Sequence, residues 1–480
     1  MNLESYLKSI AGKDKEQKLI DRETGSVIST NPSTEFDGNN LIIITREKET
    51  VCNNSAELAT INGNLNGIYP GAIVHADSKL IDGSPNIITG PGLKRKPIAV
   101  SLDIFNNTQE PIVINEPNHA NVMKAINQMV QNWCDSKHST ATQMTYKTIS
   151  VYDEKQLNVE LGVKGAGEKY KLDFHATSTG KKKEMLVFFN QIYYTARVEP
   201  VTASSLYEED VKPEDLKNNG VNEDNPLAAL VTSMDFGRQI VVKLSTTNTS
   251  ENVELAWNAS VSSTGFNNKN EYKHIMDNTT FSVFALGGST KTAVELVQIP
   301  NNPAEINKII AGDMNFTSES AVYPLSYATN FIDDGKKALI TRSTEYVKTT
   351  VSKREPVHVK TNSATAYITK HQRFWARTIT GVDENGAFKL GKWECLRDAG
   401  NGNQEFWVGS KYVEFGFEFD ITGGTDWPYS DTFWTIGDGA AKEIFIEWGG
   451  GCRTANININ VNGKDIFHDG NCDGHSRKFS

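Results

Sequence analysis

The sequence predicts an α+β protein, a mixed body followed by an all-β C-terminal module. Three observations carry that expectation. Two stretches, beginning at Leu157 and Val253, alternate apolar and polar residues with the two-residue period of a strand. A segment after Pro117 instead carries apolar residues at helical spacing. Beyond Pro356, short alternating runs follow one another, separated by Gly and Asp.

Taken in order, residues 3–20 read as a short helix with Leu3, Leu7 and Ile10 on one face, and Leu41 to Thr45 as a buried strand. Asn118 is a candidate N-cap for a helix running to Trp133, whose stripe of Val122, Ile126, Met129, Val130 and Trp133 is suited to a core. The first alternation sets Leu157, Val159, Leu161 and Val163 against Asn158, Glu160, Gly162 and Lys164. After a Gly165-Ala166-Gly167 bend it resumes in shifted register at Tyr170, Leu172, Phe174 and Ala176. Pro213 to Asn219 reads as a short helix stopped by Gly220. The second alternation is Val253, Leu255, Trp257, Ala259 and Val261, with a turn near Gly265. These residues also fit a helical face through Val253, Trp257 and Val261, and satisfying both periods is what a segment with two folded states requires. Each alternating stretch suits either an ordinary half-buried hairpin or a hairpin of a membrane-spanning β-barrel, where lipid-facing and lumen-facing residues alternate.

Tyr346 to Val351 is strand-like and leads to a linker at Pro356. Thr365–Thr369, Tyr412–Phe419 and Ile457–Asn462 then read as strands of a β-sandwich. Six tryptophans in this last part, Trp375, Trp393, Trp407, Trp427, Trp434 and Trp448, either fill its core or form an exposed glycan-stacking surface. Core is the expectation, since a sandwich needs one.

The chain has 480 residues, enough for several domains, and a formal charge of −10. That charge argues against a nucleic-acid partner, and the basic runs at Lys94–Lys96 and Lys181–Lys183 read as solvated turns. No stretch approaches the roughly 20 apolar residues of a spanning helix. Met1 to Arg22 lacks the apolar core of a signal peptide, so the reading is either a cytosolic protein or a trimmed, mature one. No phosphate-binding loop, dinucleotide fingerprint, zinc-protease motif or nucleophile elbow is present, so no enzyme activity and no cofactor is expected. The spacing of the five cysteines fits no zinc module; Cys452 and Cys472 are a candidate disulfide closing a terminal hairpin. His468, Asp469, Cys472 and His475 lie close enough in sequence to ligate a metal, but their Gly/Asn/Asp-rich setting favours a solvated turn, and no metal is expected.

Local motifs in order resemble the cholesterol-dependent cytolysins, within the wider perforin-related group of pore formers. They are Tyr69-Pro70-Gly71-Ala72, Lys94-Arg95-Lys96-Pro97-Ile98, Gln191-Ile192-Tyr193-Tyr194-Thr195 and Asp215-Leu216-Lys217. The series continues with Phe236-Gly237-Arg238-Gln239 through Leu244, Leu286-Gly287-Gly288, Tyr323-Pro324-Leu325-Ser326-Tyr327, and Thr344-Glu345-Tyr346 through Thr350. Colinear blocks across about residues 40–350 are more than chance supplies.

The resemblance implies an elongated molecule with a central bent antiparallel sheet flanked by helical bundles and a C-terminal β-sandwich. Residues 1–45 and 338–355 would form the N-terminal segment and domain 2. Residues 46–143, 194–238 and 314–337 would form domain 1; 144–193 and 239–313 the pore-forming domain 3; and 356–480 a membrane- or receptor-binding domain 4. Both alternating stretches, about 153–181 and 251–276, would begin as helical bundles and unfurl as barrel hairpins with tips near Ala166 and Phe266. Gly287 and Gly288 match the family's hinge glycines, where a missing Cβ lets a short strand swing aside. Tyr146 and Phe281 match aromatics that stack between subunits.

The implied protein is secreted as a soluble monomer, without a signal peptide in this numbering. It then acts on a target-cell membrane as a ring of identical subunits or of subunits mixed with a shorter related chain, with or without proteolytic activation. Its receptor is an unidentified glycan, lipid or protein. Three departures from the family stand out. The tryptophan-rich loop expected after Ile446 is missing, the chain reading Gly449-Gly450-Gly451-Cys452-Arg453 instead. The sterol-reading Thr-Leu pair aligns with Asp465 and Ile466, and Thr148 replaces an acidic residue that would pair with a neighbouring subunit. They imply that classical cholesterol recognition is lost, as in the bacterial cytolysin-like subgroup, and leave a non-lytic adhesin as the alternative.

Overall fold

A computed structural model of the chain describes residues 2–12, 20–23, 32–37, 40–54, 58–59, 67–81, 83–136, 143–249, 252–261, 275–287, 315–339, 341–363, 369–383, 387–400, 402–423, 427–429, 433–435, 441–451 and 454–469. It forms two compact units: Met1–Ile28 with Lys48–Lys348, and Ser29–Glu47 with Thr349–Ser480. The chain passes between them three times, after Ile28 and then inside two long strands, Asn40–Asn54 and Thr341–Lys353.

In the first unit the described residues build a nine-stranded sheet around two long antiparallel strands, Lys183–Glu199 and Ala228–Thr246. Met185 to Phe189 and Ile240 to Val242 are apolar at successive positions, the signature of strands buried on both faces. The helix expected after Pro117 spans His119–Asp135, and the Asn118 side chain accepts from the Asn121 N–H at 2.9 Å. Its stripe is core: Trp133 is buried, stacks on Phe316 with ring centroids 5.6 Å apart, and donates its indole N–H to the Phe105 carbonyl. The helix Pro213–Asn218 is also where its proline and Gly220 put it. The first helix is shorter than its sequence suggested. It spans Leu3–Ala11 and stops at Gly12, whose φ of 67° ends a right-handed helix; Ile20 already opens a strand, Ile20–Glu23.

In the second unit the described residues form two five-stranded sheets. One runs in the order Gln404–Val408, Val357–Ser363, Glu443–Gly451, Thr454–Val461, Lys464–Asp469. The other runs Phe388–Ala399, Thr369–Val382, Tyr412–Gly423, Trp427–Tyr429, with Phe433–Thr435 also paired to Tyr412–Gly423. Val359, Ile444, Ile446 and Trp448 of the first pack on Phe374, Phe415, Phe417 and Phe419 of the second, giving the expected sandwich core. Leu41 is buried against Ile379 and Val413, and its N–H donates to Ser410 Oγ at 2.8 Å. The expected strand at 365–369 falls mostly on residues outside the described ones, as do Cys452, Cys472 and His475. Cys52, Cys134 and Cys395 are free thiols. Among the described residues no helix is long and apolar enough to cross a membrane.

Candidate functional site: a sheet covered by two helical connections

At one end of the large sheet, four strands lie side by side in the order Gln143–Val151, Lys183–Glu199, Ala228–Thr246, Thr280–Leu286, each antiparallel to its neighbour. The outer strands are joined to the inner ones by the two alternating stretches. Thirty-two residues separate the paired Val151 and Glu184, and 34 separate the paired Ser245 and Thr280. Among the described residues neither connection is a strand. The first folds as three short helices, Glu154–Leu161, Ala166–Lys169 and Phe174–Ser178; the second includes the helix Val253–Val261. The strand period did not decide this conformation because local capping overrides it. Asp153 accepts from the Gln156 N–H at 2.7 Å, Gly162 closes the same helix at φ 68°, and Asp173 accepts from the Ala176 N–H at 3.0 Å.

The connections cover opposite faces. On the face of Val241, Leu157, Leu161, Val163, Ala166 and Tyr170 pack over Ile149, Val151, Leu186 and Phe188, with Leu172, Phe174 and Phe284 partly buried beside them. Val159 is buried in the same helix, and Ala176 lies half-buried in the third. On the face of Val242, Val253, Ala256 and Trp257 pack over Val187, Phe189, Leu244, Phe281 and Val283. Leu255 points the other way and is 49% exposed. Ala259 and Val261 close that helix.

Polar latches fix the first connection. Glu184 is fully buried and ion-paired with Lys243 at 3.2 Å and Lys182 at 3.0 Å, while its other oxygen accepts from the Asp173 N–H at 2.8 Å. Lys243 in turn donates to the carbonyls of Tyr170 and Lys171. Asn53 Nδ2 donates to the carbonyls of Val159 at 2.9 Å and Glu160 at 3.3 Å, two acceptors at the helix C-terminus. On the strand that carries Asn53, Lys348 and Tyr346 hydrogen-bond the Glu49 carboxylate and hold its pKa below the usual range, and the Tyr346 ring lies 5.5 Å from that of Tyr152. None of this was legible in the sequence, because Glu184, Lys243 and Asn53 meet only through strand register and long-range packing.

Among the described residues of the second connection, Trp257 is the centre of an aromatic cluster, and at its base the Thr246 hydroxyl donates to the Asn278 carbonyl at 3.0 Å. Trp257 is fully buried, its ring 6.0 Å from that of Phe281, and its indole N–H donates to the Tyr146 hydroxyl at 3.0 Å. Tyr146, 46% exposed, passes its own O–H to Asn258 Oδ1 at 2.8 Å. Tyr146 and Phe281 thus sit on the same face of the sheet, on its two outermost strands, each against Trp257 and not against one another.

Gly287 follows the fourth strand with φ of 84°, and a Cβ there would approach the carbonyl oxygens of Ala321 and Gly237 to 2.9 Å. Gly288 lies outside the described residues. Gly237, which the sequence offers only as part of a family motif, is sterically required. There the ladder with Lys183–Glu199 bulges, and a Cβ would stand 1.9 Å from the Gln191 carbonyl oxygen. The strand also changes partner at this point: Gly237 pairs with Tyr323, and Gln239 with Leu286.

In the sandwich, strand Glu443–Gly451 passes directly into Thr454–Val461, with Gly451 paired to Thr454 across only Cys452 and Arg453. Asp465 and Ile466 are not at that end. They follow the Asn462-Gly463 turn, and Asp465 pairs with Asn460, whose own partner is Phe445 at the start of the preceding strand. One strand, Thr454–Val461, separates the Gly451–Thr454 reversal from the Asn462-Gly463 turn, so Asp465 and Ile466 lie at the end of the sheet opposite that reversal.

The family profile described as thiol-activated cytolysin matches residues 5–354. Tetanolysin of Clostridium tetani is 31% identical over 352 residues, 72% of this chain and 65% of that one. Seeligeriolysin of Listeria seeligeri is 31% identical over 360 residues, 73% of this chain and 66% of that one. The matched stretch thus spans just under two thirds of each relative's own length. The crystal structure of suilysin from Streptococcus suis superposes with a TM-score of 0.77 at 24% identity, covering 96% of this chain and 99% of that one, which shows a shared fold.

Proposed function

This chain belongs to the thiol-activated cytolysin family, and on that premise we propose that it is a secreted pore-forming toxin whose two helical connections unfurl into transmembrane β-hairpins after subunits join in a ring. One observation carries the reading. Continuing the pairing of Val151 with Glu184 outward sets Val163 opposite Leu172, Leu161 opposite Phe174 and Val159 opposite Ala176. The shift of register across the Gly165–Gly167 bend is what places both apolar arms on one side. Continuing the pairing of Ser245 with Thr280 puts Val253, Leu255, Trp257, Ala259 and Val261 on that same face, the face of Val241. Two stretches that cover opposite faces when folded would share a single apolar face when extended, as a lipid-facing barrel wall requires.

Length and turns fit as well. Arms of about 15 residues reach roughly 50 Å at about 3.3 Å per residue, beyond the 9–11 residues a tilted transmembrane strand needs. The continued registers turn at Gly167-Glu168 and at Ser262-Ser263, so Ala166 stays at its tip while Phe266 moves onto the returning arm. That arm brings Phe266 and Tyr272 to the apolar face together with Asn268 and Asn270, and is the least lipid-like of the four.

A lone hairpin would carry unsatisfied N–H and C=O groups into lipid, so ring assembly must precede insertion. Departure of the helix Val253–Val261 would uncover Phe281 and release Tyr146, freeing one aromatic at each edge of the four-stranded sheet to meet a neighbouring copy. Gly287, with Gly288, would act as the hinge behind the fourth strand. The two-residue connection at Cys452-Arg453 supports a target surface chosen without classical cholesterol recognition, and the same observation favours a non-lytic adhesin as second reading. Dye release from liposomes of varied sterol content and from bacterial and animal cells, with and without limited proteolysis, separates the two. Release independent of sterol supports the pore; firm cell binding with no release under any condition supports the adhesin.

A further inference from the structure

We propose that the outer face of the first sandwich sheet, at its Gln404–Val408 edge, is a binding site for neutral carbohydrate built on Trp407. This deepens the proposed function by naming the receptor chemistry. The aromatic side chains that make the sandwich core, Phe374, Phe415, Phe417, Phe419 and Trp448, are buried, whereas Trp407 is 67% exposed. Its strand is the last in the sheet order, so no described strand lies beyond it. One ring face stacks on His358, its cross-strand partner, with centroids 4.5 Å apart and planes within 14°. The indole is therefore held upright, with its other face turned past the sheet edge. An indole fixed in one orientation loses little entropy on binding a flat apolar surface.

Hydrogen-bonding groups surround it on the same face. Glu405 Oε1 lies 2.9 Å from His358 Nε2 and 3.7 Å from Lys360 Nζ, and Glu443 Oε1 lies 3.5 Å from Lys360 Nζ. The carboxylates offer acceptors and the ammonium offers donors. Hexose rings present an apolar C–H face for the indole and a rim of hydroxyls for these groups. Glu405 and Glu443, which also lie 2.9 and 3.8 Å from the His358 ring nitrogens, present two carboxylates on this face and disfavour sulfated, sialylated or phosphate-bearing ligands. Among the described residues of the three strands nearest this edge, Phe445 is the other exposed large apolar side chain, so the apolar area falls short of what the core of a standard protein interface contains.

The test is binding of the full chain to an array of neutral, sialylated and sulfated glycans, which contains no membrane and so is independent of pore formation. The proposal expects binding within the neutral set and at least a tenfold loss in Trp407→Ala, with partial retention in Trp407→Phe and several-fold losses in Glu405→Gln and Glu443→Gln. An unchanged melting midpoint confirms that Trp407→Ala folds. Binding to no neutral glycan, or undiminished binding by Trp407→Ala, overturns it. Cell binding abolished by protease but untouched by glycosidases would replace the carbohydrate with a protein partner and overturns it equally.

Discussion

The two helical connections solve one problem differently. Each bridges adjacent antiparallel strands and hides apolar residues against a face of the same sheet, yet among the described residues the first is fastened chiefly by charge and hydrogen bonds to its backbone, the second chiefly by a buried tryptophan. Glu184, Lys243 and Asn53 grip main-chain groups of residues 159–173, so they hold a conformation. Trp257 fills space and gives one hydrogen bond to Tyr146, so it holds a position. A conformation held by buried charge breaks steeply when one partner goes, whereas a packed side chain is lost in proportion to the cavity it leaves.

That contrast can be broken from either side. Trp257→Ala is expected to cost roughly 3–5 kcal/mol of stability in urea unfolding. Hydrogen-exchange protection should fall in 253–261 while 154–178 keeps its protection; equal losses in both would mean that the connections are one cooperative unit. Glu184→Gln leaves Lys243 buried without its ion partner and should cost about 3 kcal/mol, with the pattern reversed: exchange rising in 166–178 and not in 253–261. Asn53→Ala removes two hydrogen bonds to the end of one helix and should cost about 1 kcal/mol, read as local exchange confined to 154–161.

Legibility in the sequence followed the same division. The helix His119–Asp135 was readable because its cap and stripe are local, and the sandwich because its strands alternate against one core. The stretch Leu157–Ala176 was written in two periods at once: caps at Asp153, Gly162 and Asp173 specify helices, and the alternation specifies strands. No single-state rule could choose between them. What stayed hidden depends on register. Glu184 facing Lys243, the partner change at Gly237 and the end of the sheet where Asp465 falls are set by pairing between distant residues. The need of a sandwich for a core predicts Trp407 inside, but alternation along its strand turns Phe406 and Val408 inward and leaves Trp407 on the outer face.

The most direct test of the central claim uses the difference between folded and extended states at one residue. Leu255 is half-exposed on the folded helix, so Leu255→Lys should leave the melting temperature and cell binding unchanged. On the proposed lipid face the lysine costs roughly 2–4 kcal/mol per subunit near the midplane. Dye release from target membranes should then be abolished while binding persists. Release equal to that of the unaltered protein would contradict the account.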